Sequence, residues 1–209
     1  MIPSVKKEFI RLRFHFLATI LTLVLTLNLF NRFVAWVETR PGSVLQDPIL
    51  AMLTPRDFTV PVFIIIYGAI PLILFVLRNN PLQLLKLFQS YIAMIWIRTL
   101  AMYALPLDPP TGMILLRDPV VEMVGDAGRM LTRDLFFSGH TATVFLFAAF
   151  MPTWKGKAAL GFATAALMFM LAAQHVHYTV DLVAAPFFTY GAVMIVNRLH
   201  ALRTRGVLK

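Results

Sequence analysis

The sequence predicts an all-α protein, a six-helix transmembrane bundle with both termini in the cytoplasm. Three observations carry that prediction. The 209-residue chain has a mean hydropathy of +0.76, with 59% hydrophobic against 14% charged residues, which excludes an ordinary soluble domain. Apolar runs long enough to cross a bilayer recur along it. Its basic residues are sorted by loop and not gathered into one patch, so the net charge of +9 speaks for membrane topology and against nucleic acid.

The first span, about Phe14–Val37, follows a basic leader. Its apolar run is too long for a signal core and no small-residue cleavage site follows, so it reads as a retained anchor. The second covers Thr59–Leu77. The third, Pro81–Leu105, is stopped by the proline cluster that opens at Pro106. The fourth, Ser138–Pro152, is short, and is expected either to begin before Ser138 or to tilt little. The fifth and sixth run over Gly156–His175 and Tyr178–Arg198. With no room for a soluble domain between spans, residues 1–209 read as a single integral-membrane domain. The absence of cysteine excludes disulfides and thiol catalysis.

The connections differ in kind. Arg78-Asn79-Asn80 and Thr153-Trp154-Lys155 make tight inward turns. Glu38 to Phe58 and Pro106 to Phe137 make long outward loops, the second long enough to be a lid or a substrate rim. Twelve lysines and arginines fall at the termini and inward turns against five in the outward loops, which places both termini in the cytoplasm.

Two short segments carry the chemistry. Ser138-Gly139-His140-Thr141 puts a histidine in the opening turn of a helix, where free N–H groups and the macrodipole favour an anion. His177-Tyr178-Thr179-Val180-Asp181 puts a histidine and a carboxylate four residues apart, stacked on one helical face. The carboxylate would accept the Nδ1 proton and leave Nε2 free to react. The fourth span descends from Ser138 and the fifth rises to His175, so His140, His177 and Asp181 meet at one outer depth. Two histidines, a carboxylate and an anion cradle suit phosphoryl transfer. The spacing alone allows the two histidines to exchange roles.

Arg98 interrupts the third span about two helical turns below its outer end. An arginine there faces a polar interior and holds phosphate, snorkels to the head groups, or pairs with Asp108 or Asp181. Ser138 also suits a plain N-cap, and Gly139 a close-packing position. Arg129 and Arg133 stand just before the site and either steer an anionic head group or stay solvated. Asp134 pairs with a neighbouring cation or acts on a substrate hydroxyl. His175 is expected at the interface or behind the reacting groups, and Phe136 and Phe137 in packing.

These residues resemble the type-2 phosphatidate phosphatase superfamily, which carries a Ser-Gly-His and a His-x-x-x-Asp on neighbouring membrane helices. Within it they are most similar to the sphingomyelin synthase branch. Asp134-x-x-x-Ser138-Gly139-His140-Thr141 matches D-x-x-x-S-G-H-T, and His175-x-His177-Tyr178-Thr179-Val180-Asp181 matches H-x-H-Y-T-V-D. Arg98 to Tyr103 with Leu105-Pro106 is similar to R-x-x-T-M-Y…L-P, except that Ala101 replaces a threonine. The likeness spans residues 98–190. The phosphatase branch's K-x(6)-R-P has no counterpart, and Met170-Leu171 stand where its S-R-x(5)-H lead-in would begin.

The resemblance implies a lipid phosphotransferase. It would move a phosphocholine- or phosphoethanolamine-type head group to a lipid hydroxyl or water through a phosphohistidine on His177. His140 would serve as acid and then base, with Arg98, Ser138, Gly139, Arg133 and Asp134 around the phosphate or substrate. It implies no cofactor and no metal. The partners would be phospholipid and lipid-alcohol substrates, the bilayer and a second copy of the chain in a homo-oligomer. The active site would face the periplasmic or luminal side, in a minimal bacterial inner-membrane relative. Three rivals use the same residues: a lipid phosphate or isoprenoid pyrophosphate phosphatase, a transporter with buried His, Asp and Arg, and a zinc site.

Overall fold

A computed structural model describes residues 5–118 and 131–206. Among these, six α-helices alternate in direction: α1 Val5–Val37, α2 Thr59–Leu77, α3 Pro81–Ala104, α4 Gly139–Phe150, α5 Trp154–Ala173 and α6 Thr179–Gly206. The ends of α2 and α4 meet the starts of α3 and α5 through tight turns, each closed by a side-chain cap. Asn80 accepts the N–H of Gln83, and Thr153 that of Gly156.

Four of the helices are long and apolar enough to cross a bilayer, namely α1, α2, α5 and Thr179–Arg203 of α6. The other two fall short for opposite reasons. α3 has 24 residues, but Gln83, Lys86, Gln89, Ser90 and Arg98 interrupt its hydropathy. α4 is apolar throughout yet has only 12 residues. It does not begin before Ser138: the Ser138 side chain accepts the Thr141 N–H and starts the helix there. At both ends of the chain the helices outrun the apolar spans, with α1 starting at Val5 rather than near Phe14 and α6 running to Gly206 rather than Arg198.

The short helix is the hub. Thr141, Ala142, Val144, Leu146, Phe147, Ala148 and Phe150 are buried, which is what a helix apolar on every side requires. It packs against α2, α3, α5 and α6, while α1 lies outside against α3. The main core joins α2, α4 and α5. A smaller one, built on Met94, Ile95, Phe137, Ala142, Ala185 and Ala192, seats α3 and α6 against α4.

At the end of the bundle away from the α2–α3 and α4–α5 turns, the two long loops are tied to each other and to the α5–α6 connection. Ser43 and Leu107 form an isolated parallel bridge, with Ser43 N–H to Pro106 carbonyl and Asp108 N–H to Ser43 carbonyl, each 3.1 Å. Gly42 is required there, because a Cβ would come 2.6 Å from the Asp108 nitrogen. The Glu38 carboxylate accepts the N–H groups of Thr132 and Arg133 and the Thr132 hydroxyl.

Candidate functional site

Four segments converge at that same end: the last turns of α3, the start of α4, the α5–α6 connection and the first turn of α6. His140 is the second residue of α4, with Ser138 as its N-cap. The Ser138 N–H is donated to the Asp181 carbonyl oxygen at 3.2 Å, which fixes the start of α4 against the first turn of α6. His140 stands within electrostatic reach of His177, Arg98 and Asp134. The edge of its ring packs on Phe63, with centroids 6.0 Å apart.

His177 and Asp181 do come together, but not on one helical face. α6 begins at Thr179, so His177 precedes the helix. The approach comes from the turn that starts α6. Asp181 turns Oδ2 back to accept the Tyr178 N–H at 3.0 Å, half of a capping box. The same oxygen lies 3.6 Å from His177 Nδ1, a contact too long for a hydrogen bond. Both side chains are buried, at 2% and 0% exposure, and Nδ1 of His177 and Oδ1 of Asp181 have no hydrogen-bond partner among the described residues. Buried polar atoms left unpaired are costly, and two of them on neighbouring side chains need a reason beyond packing.

Arg98 points into the bundle and is 6% exposed. It pairs with neither Asp108 nor Asp181. Its partner is Asp134, with Nη2 2.8 Å from Oδ1, and its Nε donates to the Phe137 carbonyl at 2.6 Å. The guanidinium therefore grips the segment that leads into α4. Gly139 makes this possible: a Cβ there would lie 3.0 Å from the guanidinium carbon and from Nη1. Asp134 is thus a partner of Arg98. Arg133 is committed as well, donating from Nε to Asp108 and from Nη1 to the Glu38 carbonyl, each at 2.6 Å. Arg129 lies outside the described residues. Phe137 stacks on Phe188 with centroids 5.1 Å apart, the packing role expected of it.

The α5–α6 connection also holds residues whose contacts the motifs did not reveal. His175 adopts a left-handed backbone (φ 58°) and sets Nδ1 2.9 Å from the Thr111 carbonyl and Nε2 3.1 Å from that of Leu53. It clips both outer loops to the bundle. Gln174 does the same through Phe58, Thr59 and Ile114. Tyr178 donates its hydroxyl to the Asp108 carbonyl at 2.9 Å and accepts the Leu45 N–H at 3.2 Å. Asp47 accepts the Thr179 N–H at 2.6 Å and the Thr179 hydroxyl at 3.1 Å. Burial pushes the Asp47 carboxyl up, but hydrogen bonds from Thr179, Leu50 and Ile49 outweigh it and hold it below its ordinary value. A carboxylate over the first turn of α6 also suits the helix dipole. A cavity of about 630 Å³ opens beside this connection, lined by Leu45, Asp47, Pro110, His175 and Tyr178 among others; His140 and His177 do not line it.

Fold and site together define a helical membrane protein with two histidines, a carboxylate and a buried arginine at one end of the bundle. Residues 133–198 match the family model described as PAP2 superfamily C-terminal. That stretch, about a third of the chain, takes in His140, His177 and Asp181 and leaves Arg98 outside. The match supports the type-2 phosphatidate phosphatase superfamily and an enzyme of phosphoester chemistry. A comparison with curated proteins gave no match.

Proposed function

We propose that this protein is a membrane lipid phosphatase or phosphotransferase that works through a phosphohistidine. The observation that carries the reading is the buried His177–Asp181 couple beside His140. Asp181 faces Nδ1 at 3.6 Å, which turns Nε2 away from the carboxylate and leaves its lone pair for phosphorus. In the first step Nε2 bonds to phosphorus while the bond to the lipid alkoxide oxygen breaks, and His140 gives that oxygen its proton. In the second, neutral His140 takes the proton of an acceptor hydroxyl, whose oxygen bonds to phosphorus as the P–N bond breaks. The N–H groups at the start of α4 supply donors for the phosphoryl oxygens. Arg98 adds positive charge beside them while holding the start of α4 in place.

The acceptor separates the two outcomes. A lipid hydroxyl makes the protein a head-group transferase of the phosphocholine or phosphoethanolamine type. Water makes it a phosphatase of lipid phosphates or isoprenoid pyrophosphates, which the family match supports equally well. In either case the site lies on the extracytoplasmic side and needs no metal. The test is to incubate purified protein with labelled phospholipids or phosphatidate, with ceramide, diacylglycerol or no lipid acceptor, and separate the products. A new head-group lipid identifies a transferase, and free phosphate a phosphatase. Neither product, or activity lost to EDTA and restored by zinc, would overturn the proposal.

A further inference from the structure

The end of the bundle opposite the histidine pair carries a second group of titratable side chains that phosphoryl transfer does not use. His15 on α1, Lys86 on α3, and His200 and Arg203 on α6 gather where α1 and α6 pack on α3, with His15, Lys86 and Arg203 within electrostatic reach of His200. Amides hold the group in place. His200 Nε2 lies 2.7 Å from Gln89 Oε1, Gln89 donates to the Thr19 hydroxyl at 3.1 Å, and Lys86 donates to Asn197 at 3.1 Å. His15 Nδ1 is buried with no hydrogen-bond partner among the described residues.

Counter-charge is scarce at this end. Among the described residues, Glu8 is the one acidic side chain at this end, and it pairs with Arg11 at 3.8 Å. The apolar neighbours point to the kind of anion that would fill the gap. Phe14, Leu17, Leu199 and Leu202 flank the two histidines and are 58–69% exposed, a surface for acyl chains. A ligand that satisfies both features has an anionic head and a hydrocarbon body, and basic pockets between membrane helices are suited to such lipids.

We propose that the groove between α1, α3 and α6 binds an anionic phospholipid of the adjoining leaflet, its phosphate among His15, Lys86, His200 and Arg203. This site is separate from the histidine pair at the other end and does not depend on the activity proposed for it.

The test measures binding of phosphatidylglycerol and phosphatidylcholine to the purified full-length protein by native mass spectrometry. Wild type retains phosphatidylglycerol in preference to phosphatidylcholine. Lys86→Gln and Arg203→Gln each weaken that retention by about fivefold, the contribution of one basic side chain near anionic lipid. Lys86→Arg keeps the charge and retains the lipid, which separates loss of binding from loss of fold. Lys155→Gln with Lys157→Gln, exposed at the same membrane face, leaves retention unchanged. Equal retention by the Lys86 and Arg203 variants, or equal loss from the Lys155/Lys157 control, would overturn the proposal. Displacement by millimolar inorganic phosphate would overturn it too, since the ligand would then be free phosphate.

Discussion

At the scale of single residues, the candidate site sets His177 apart from Asp181. Replacing His177 with alanine removes the atom that must bond to phosphorus, so turnover falls to background and no acid-labile phosphoprotein accumulates. Asp181→Asn keeps an oxygen to accept the Tyr178 N–H, so the start of α6 survives, but it offers His177 a neutral partner. Activity should drop on the order of 10⁴-fold, as for the carboxylate of a serine-protease triad, with the melting temperature nearly unchanged. Gly139→Ala reverses the usual expectation for a helix. Alanine is the better helix former, and Gly139 opens α4 without a positive φ, so the fold tolerates it. The new methyl meets the Arg98 guanidinium at 3.0 Å and pushes on its grip of residues 134–137. Turnover falls by up to about 10²-fold, the cost of an ångström-scale misplacement, while thermal unfolding in detergent stays close to wild type.

At the scale of elements, the first turn of α6 depends on a residue more than a hundred positions away. Asp47 holds Thr179 through two hydrogen bonds and carries a lowered carboxyl pKa. A carboxyl lowered by folding contributes stability above its unfolded pKa, and that contribution disappears as pH falls through the folded value. Thermal unfolding of wild type and Asp47→Asn should therefore differ at neutral pH, and the gap should close below about pH 4. A gap that persists in acid would mean that Asp47 acts by shape alone. This element also marks the limit of what the sequence discloses. The long spans were readable because their apolar runs are continuous, and Ser138 did mark the start of α4. The His177–Asp181 pair was readable as a pair but not as a geometry, because Asp181 caps the helix and His177 stands outside it. Arg98 was noticed as an intruder in an apolar run, yet its partner Asp134 lies across a loop that no local pattern spans. Asp47 stands in a loop before Pro48, where no local pattern sets it apart, and only the fold brings it to Thr179.

At the scale of the whole molecule, the proposal that both termini are cytoplasmic can be tested without a thiol background, since the chain has no cysteine. Cysteines introduced at Ser4 and Gly206 should react with an impermeant maleimide only in inside-out vesicles. Labelling in right-side-out vesicles would put the histidine pair in the cytoplasm. One dimension of the bundle bears on how any substrate reaches that pair. The central helix α4 has 12 residues, about 18 Å of rise, against a hydrocarbon layer of roughly 30 Å. Its last turn is tied to α5 by the three residues 151–153, and its first is held where Ser138 meets Asp181. With α4 that short, the proposed reaction centre would sit below the waterline of the leaflet, like a dry dock cut into the membrane's edge. A lipid gliding in sideways would bring its phosphate down to the histidines with its chains still among other chains, and the alcohol it leaves behind would never need to surface.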